Sequence, residues 1–309
     1  MKNSRIIFFG TPDFAIPALR ELAENFSIEA VITQPDKPKG RKKEPIAPPI
    51  KKYASTRDFL ILQPQKLDKK FIGQLEKLKP DLGVVVAYGK ILPKQILDLP
   101  KHGCLNIHAS LLPKYRGAAP IQAALLNGDK KTGITIMKID KGLDTGDIIS
   151  SQSIEIQKQD NLQTLHDKLA ELGAQLLIKT IPDYIAGKIK PQKQDESKAS
   201  VFPTISKGQG RILWKNSAEH IFNQIRAFTP WPGAFTFYNN KKLDIIEAEP
   251  VECGENRLIG QIFGFNNKVL VQCKENCLEI KKVKLEGKKE IDIQSFINGH
   301  SDFIGFELE

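Results

Sequence analysis

No stretch of the 309-residue chain holds the roughly 18 consecutive apolar residues that a membrane-spanning helix requires. Its start, MKNSRIIFFGTPDF, has one short apolar run and no small-residue cleavage site behind a longer one. That pattern disfavours a secretory signal and reads as a buried first strand. Cysteine is scarce. Cys104, Cys253, Cys273 and Cys277 are the four present, and their spacing fits no zinc template. All four read as free thiols in a reducing cytosol, and Cys104 is a poor nucleophile candidate because a more convincing pair of residues follows it. There is no Gly-x-Ser-x-Gly and no His-x-x-x-His, which disfavours acyl-enzyme hydrolysis and zinc catalysis. The glycine of FFGTPDFAIPAL has a strand–turn–helix context without G-x-G-x-x-G, so a tight turn explains it and a dinucleotide site is unsupported. Internal repeats and low-complexity tracts are also missing.

Positive charge is in excess. Lys and Arg number 46 against 36 Asp and Glu, a net charge of +10. From Ser206 onward the two signs balance at 14 each, so the surplus lies entirely earlier. It is densest in QPDKPKGRKKEPIAPPIKK, where Lys37, Lys39, Arg41, Lys42, Lys43, Lys51 and Lys52 face only Asp36 and Glu44. Two readings stay open: a solubilising loop, or an arm that grips a phosphate backbone.

The length favours one large domain followed by a smaller one. RIIFFG, IEAVITQ, FLILQP, DLGVVVAYG and GCLNIHA read as strands, interleaved with helical DFAIPALRELAENF (Asp13 as N-cap) and KKFIGQLEKLK. Nearly continuous apolar strands alternating with helices predict an α/β, Rossmann-like, doubly wound and mostly parallel sheet. GITIMKID and DIISSQSIEI read as an antiparallel addition, and NLQTLHDKLAELGAQLLIKTIPDYIAG as a long closing helix. The polar stretch from Lys188 reads as a linker. Beyond it, one helix and five short strands at close spacing predict a small β-barrel of the oligonucleotide-binding type. The expected division is 1–187, a linker at 188–207, and 208–309. Within the last part, EIKKVKLEGKKE offers either a basic face or an ordinary solvated strand pair, and Trp231 of TPWPGAFTF reads as part of a rigid packed corner.

In LNIHASLLPKYRGAAPI, Asn106 and His108 lie two apart at the carboxyl end of a predicted parallel strand, so they share a face. Ligands of open α/β sheets bind in the crevice outside those ends. A carboxamide beside an imidazole suits an oxygen that gains negative charge as a carbonyl becomes tetrahedral. A carboxylate should complete the set. Asp144 of KGLDTGDII, between Gly142 and Gly146, is the best candidate, with Asp140 and Asp147 as competitors and a plain turn as the other explanation.

These stretches are similar to the folate-dependent formyltransferases. LNIHASLLPKYRGAAPIQAAL and GLDTGDII carry the shared core, and FFGTPDFAIPAL, TQPDKPKGRKK, AYGKILP and IRAFTPWPGAFTF extend the likeness, in order, over nearly the full length. The resemblance implies formyl transfer from 10-formyltetrahydrofolate to the amino group of methionyl initiator tRNA in translation initiation. It implies Asn106, His108 and Asp144 as the catalytic set around the formyl carbon, and a folate pocket at Ile91, Leu92, Ser110, Leu111, Leu112 and Pro113. It implies contacts of Lys39, Arg41, Lys42 and Lys43 with the tRNA acceptor end, and RNA contact by 208–309. No metal, a cytoplasmic location and a monomer are expected. A formyl-folate hydrolase, a formyltransferase acting on a small amine, and an RNA-binding protein on a dead scaffold are the rivals. The basic loop and the separate C-terminal domain argue against the first two, and the intact Asn106, His108 and Asp144 against the third.

Overall fold

A computed structural model describes residues 4–39, 44–254 and 257–309. Arg41, Lys42 and Lys43 lie outside the described residues, and only the backbone of Lys39 is described. The chain forms two compact units. The first runs to Pro120 and adds Thr132–Ile154 and His166–Phe202; the second comprises Ile121–Lys131, Glu155–Leu165 and Pro203–Glu309.

The first unit is built on β1 (Arg5–Gly10), β2 (Ser27–Ile32), β3 (Ile61–Leu62), β4 (Leu82–Val86), β5 (Cys104–His108), β6 (Lys131–Lys138) and β7 (Ile148–Glu155). Their order across the sheet is β7-β6-β5-β4-β1-β2-β3. The pairs from β5 through β4, β1 and β2 to β3 are parallel, and β6 joins β5 antiparallel. Residues 6–10 and 82–86 are buried throughout, as strands covered on both faces must be. Helix α1 (Ile16–Asn25) does not start on Asp13 as expected. Asp13 opens a 3₁₀ turn; its carboxylate accepts from the neighbouring Phe14 N–H, at 3.1 Å, and lies 3.5 Å from His166 Nε2. Pro17 explains the shift, because proline fits the first helical turn, where its missing N–H leaves no bond unmade. Helix α2 (Lys69–Lys77) is capped by Asp68, which accepts from Phe71 N–H at 3.1 Å. The long helix α3 spans Leu162–Ile185. No described helix is long and apolar enough to cross a membrane.

Residues 188–202, within the stretch expected as a linker, are part of this first unit. Gln192 exchanges backbone hydrogen bonds with Ile148 at 2.8 and 2.9 Å. Val201–Phe202 pairs in parallel with Arg116–Gly117. A side chain at Gly117 would sit 2.6 Å from the Phe202 carbonyl oxygen, so this close approach needs glycine.

The second unit packs α4 (Ala218–Phe228), capped by Ser217, against an antiparallel sheet. Its strands are β8 (Ala234–Tyr238), β9 (Lys241–Val251), β10 (Ile262–Phe265), β11 (Lys268–Gln272) and β12 (Cys277–Leu285), ordered β8-β9-β12-β11-β10, with β13 (Ile291–Asp292) against β12. The chain's end ties the two outer strands together. Phe306 and Leu308 bond to the backbone of Ile262 and Gly260, and Thr236 of β8 donates to the Glu309 carbonyl at 3.2 Å. Strand β8 alternates buried and half-buried residues, the pattern of a sheet with one face on a core.

Two expectations fail here. Cys253 and Cys277 form a disulfide, leaving Cys104 and Cys273 as the free thiols. The β9–β12 register sets Val251 opposite Cys277 and brings Cys253 beside it. Trp231 is 47% exposed rather than packed. The core position belongs to the buried Trp214, whose indole N–H donates to Thr236 at 3.2 Å.

Candidate functional site

Strand β5 is buried and turns polar as it ends. Asn106 lies opposite Val85 of β4 and Met137 of β6, and His108 opposite Thr135. His108 is only 5% exposed, and its Nε2 lies 2.9 Å from the Tyr115 carbonyl oxygen. A carbonyl can only accept, so Nε2 carries the hydrogen and Nδ1 is the ring nitrogen left for chemistry. Nδ1 lies 3.6 Å from Asp144 Oδ2. That is too long for a direct hydrogen bond and short enough for a charge on one group to act on the other.

Asp144 is held from several sides. Its Oδ2 accepts from the Gly117 N–H at 2.8 Å, and its backbone carbonyl accepts from Gln194 Nε2, also at 2.8 Å. Its backbone is left-handed, φ 54°, as is that of Tyr115, φ 60°. Non-glycine residues in that region cost of order 1–3 kcal/mol each and gather at functional sites. A side chain at Gly146 would overlap the Lys138 carbonyl oxygen, so the loop closes tightly behind Asp144.

The competing carboxylates differ in their partners, although Asp140 also borders the cavity that Asp144 lines. Asp140 accepts from Gly142 N–H at 2.9 Å and Thr145 Oγ1 at 2.7 Å, which commits it to its own turn. Asp147 serves through its backbone, accepting from Lys138 N–H at 2.9 Å. Cys104 is buried, and burial pushes its thiol up to about 12, which leaves no thiolate for nucleophilic attack.

A cavity of about 610 Å³ opens at this end of the sheet. Asn106 and Asp144 line it together with Val85, Ile91, Leu92, Met137 and Leu143. Its size falls within the range of about 300–1,000 Å³ usual for small-molecule sites, and mostly apolar walls with a few convergent polar groups suit a flat heteroaromatic ligand. Among the described residues, no hydrogen bond engages the Asn106 carboxamide, so its donors are available. Lys90, Lys94 and Lys141 add positive charge to the lining. Ile91, 94% exposed, and Leu143, 61% exposed, leave apolar surface open to solvent. Among the described residues, no cluster of His, Cys, Asp and Glu is arranged to hold a metal ion.

Ser110, Leu111, Leu112 and Pro113 do not line this cavity. They form a tight turn in which Ser110 donates to the Lys114 carbonyl and Thr135 Oγ1 bonds both the Ser110 carbonyl and the Leu112 N–H. Its product is the position of Tyr115, and through it the orientation of His108. Farther away, the hairpin Lys37–Lys39 with Glu44–Ile46 frames the basic loop. In the second unit, Lys281 and Lys282 are paired with Glu249 and Glu290 at 3.0 and 4.0 Å, as in a solvated strand pair.

The sequence reading missed Arg116, Gly117 and Gln194. Arg116 is 4% exposed. It donates twice to Gln194 Oε1, at 3.0 and 2.8 Å, and twice to Glu196, at 2.9 and 2.7 Å. Its hydrogen bonds hold the Glu196 carboxyl below the usual range. The only signal was Tyr-Arg-Gly following the Asn-x-His; Gln194 sat in a polar stretch with no periodicity to mark it.

Residues 4–181 match the family described as formyl transferase, and residues 204–301 match the formyl transferase C-terminal domain. A methionyl-tRNA formyltransferase of Caldanaerobacter subterraneus is 47% identical over 300 residues, covering 96% of this chain and 97% of that protein. One of Caldicellulosiruptor saccharolyticus is 48% identical over 302 residues, covering 96% of each. Among solved structures, an N-formyltransferase of Helicobacter canadensis in complex with folinic acid and dTDP-3-aminofucose superposes with a TM-score of 0.65. It is 21% identical and covers 94% of this chain and 100% of that one, which shows likeness of fold alone.

Proposed function

The chain belongs to the formyl transferase family, and from that premise we propose that it moves the formyl group of 10-formyltetrahydrofolate to the free amino group of methionine esterified to initiator tRNA. The observation that carries the reading is the approach of Asp144 to His108 Nδ1, 3.6 Å, with Asp144 and Asn106 in the wall of one cavity. The folate, when bound, supplies an electrophilic formyl carbon whose oxygen gains negative charge under attack.

Asn106 donates a hydrogen bond to that oxygen, a contribution of about 3 kcal/mol to the transition state for a single well-placed donor. His108 accepts the amine proton on Nδ1, directly or through a water between it and Asp144, and returns it to the departing folate nitrogen. The Asp144 carboxylate stabilises the imidazolium formed in between. A new C–N bond to the methionine amine replaces the C–N bond to the folate, and one proton travels the other way, so no oxidant or metal enters the balance. Ile91 and Leu92 give the pterin an apolar wall.

The acceptor is argued from three supports: the name shared by relatives at 47% and 48% identity, the positive surplus ahead of Ser206, and Lys39, Arg41, Lys42 and Lys43 as partners for acceptor-stem phosphates. The first unit, which includes residues 188–202, then acts as the catalytic domain and 208–309 as an RNA-contacting one. The test is an assay with labelled formyl donor and three acceptors: charged initiator tRNA, uncharged tRNA and water. Transfer to the charged tRNA alone is expected. Release of formate to water in its place would make the protein a hydrolase and overturn the reading.

A further inference from the structure

We propose that Gln194, locked by Arg116, is a positioning residue that sets the Asp144 loop for proton transfer; the inference rests on the function just argued. Gln194 stands between two sets of groups with opposite demands. On one side the Arg116 guanidinium presents two N–H donors to Oε1, at 3.0 and 2.8 Å. On the other side the carbonyls of Asp144 and Gly146 receive both hydrogens of Nε2, at 2.8 and 2.7 Å. A guanidinium has no acceptor and a carbonyl no donor, so the amide fits in one orientation only. Glutamate would turn an acceptor toward two acceptors, asparagine would fall short, and an apolar residue would strand buried donors.

The chain of contacts continues outward. The Arg116 side chain is 5% exposed, and Glu196, 71% exposed at its side chain, neutralises it with a second bidentate pair. A planar fork paired on two edges has little freedom, so the Gln194 amide inherits a fixed direction. The same segment also reaches His108. Ser200 Oγ accepts from the Tyr115 N–H at 2.9 Å, and the Tyr115 carbonyl is the partner of His108 Nε2. Residues 194–200 therefore brace both members of the His108–Asp144 pair through backbone atoms of Asp144, Gly146 and Tyr115. Each member has one left-handed residue to hold, Asp144 itself and Tyr115, and a brace is what keeps such a backbone in place.

The test compares the unsubstituted protein with Gln194→Glu, Asp144→Ala and the double variant. Gln194→Glu keeps the Arg116 contacts and reverses the carbonyl ones. It is expected to lower kcat by about 10²-fold, as a displacement of around 1 Å does, with KM for donor and tRNA changed less than about twofold. In the Asp144→Ala background the same change is expected to cost nothing further, because the two residues act as one unit. Losses that multiply in the double variant, or an unchanged kcat in the single one, overturn the inference. If Gln194→Glu does not fold, Gln194→Leu, which removes the same two donors without new charge, is read in the same cycle. A second readout is independent of the acceptor. The imidazole NMR signals of His108, identified by their loss in His108→Gln, should move in Gln194→Glu, and unmoved signals overturn the inference. Should the unsubstituted protein fail to formylate charged tRNA while those signals do move, the proposed acceptor falls and the brace stands.

Discussion

The two sheets of this molecule treat polar residues differently. In the first unit a strand such as Leu82–Val86 is buried at every position, so the Asn and His that interrupt the neighbouring Cys104–His108 are costly unless they have a task. In the second unit Ala234–Tyr238 alternates buried with half-buried positions, and a polar residue there is routine. Even its buried Thr236 has an ordinary explanation, bonding the Trp214 indole and the Glu309 carbonyl. A polar side chain is therefore informative in one sheet and nearly silent in the other.

The sharpest way to break this contrast is to remove two polar groups from the first sheet and one from the second. His108→Ala is expected to lower kcat by about 10²–10⁴-fold, the usual contribution of a positioned acid–base group, and Asn106→Ala by about 10²–10³-fold. Thr236→Val is expected to cost about 1 kcal/mol of stability in chemical denaturation and to leave kcat unchanged. Steady-state formylation alongside urea unfolding reads all three. A Thr236 variant with a large loss in kcat, or a His108 variant without one, would erase the distinction between the sheets.

What the sequence could and could not show follows from the same contrast. The parallel strands and the long helix are legible because burial on two faces, or on one helical face, imposes a period over many residues. Asn106 and His108 are legible because they break such a period. Asp144 is not separable from Asp140 and Asp147 by spacing. What separates them is that Asp140 is bound by Gly142 and Thr145 of its own turn, a matter of a few ångströms. Gln194 and Glu196 lie in a stretch without any period, so their role is invisible until Arg116 is seen holding both, with Gln194 reaching from it to the loop. The same holds for Cys253 and Cys277, joined through a strand register that residue spacing does not encode.

That disulfide gives the next largest effect. It joins two residues 24 positions apart within the second unit, and the chain-entropy account assigns such a loop about 2–4 kcal/mol. Cys253→Ser should lower denaturant stability by about that amount, and dithiothreitol should do the same to the unsubstituted protein while adding nothing in the variant. The first unit, whose Cys104 is unpaired, provides the internal control: its unfolding should not respond to reductant.

The charge surplus offers a third comparison, at about tenfold. Replacing Lys39, Arg41, Lys42 and Lys43 by alanine is expected to raise KM for charged tRNA by about tenfold at moderate salt. It should also flatten the salt dependence by about 0.7–0.9 in log–log slope for each phosphate no longer neutralised. Alanine at Lys281 and Lys282, already paired with Glu249 and Glu290, should change that slope far less. Equal slopes for the two sets would move the RNA contact to the second unit.

The smallest effect separates the units by how each holds a carboxylate. Asp81 of the first unit is kept below the usual carboxylate range mainly by the Arg5 backbone N–H, at 2.8 Å, with the Arg5 guanidinium adding to it. Asp302 of the second unit is lowered mainly by the neutral Tyr238 hydroxyl, at 2.6 Å. For both, the folded-state value lies below the unfolded one, so their stabilisation is complete above about pH 4 and is lost as pH falls through the depressed folded value. The two differ in what salt does. Screening weakens the part of the Arg5–Asp81 tie that is charge on charge, and leaves a hydroxyl-to-carboxylate bond nearly untouched. Asp81→Asn is therefore expected to cost at most about 1 kcal/mol at low salt and less at 1 M salt. The Tyr238→Phe penalty should be the same at both. Urea titrations of the two variants at pH 7 and two ionic strengths decide it, and a Tyr238→Phe penalty that shrinks with salt would show that charge governs both ties.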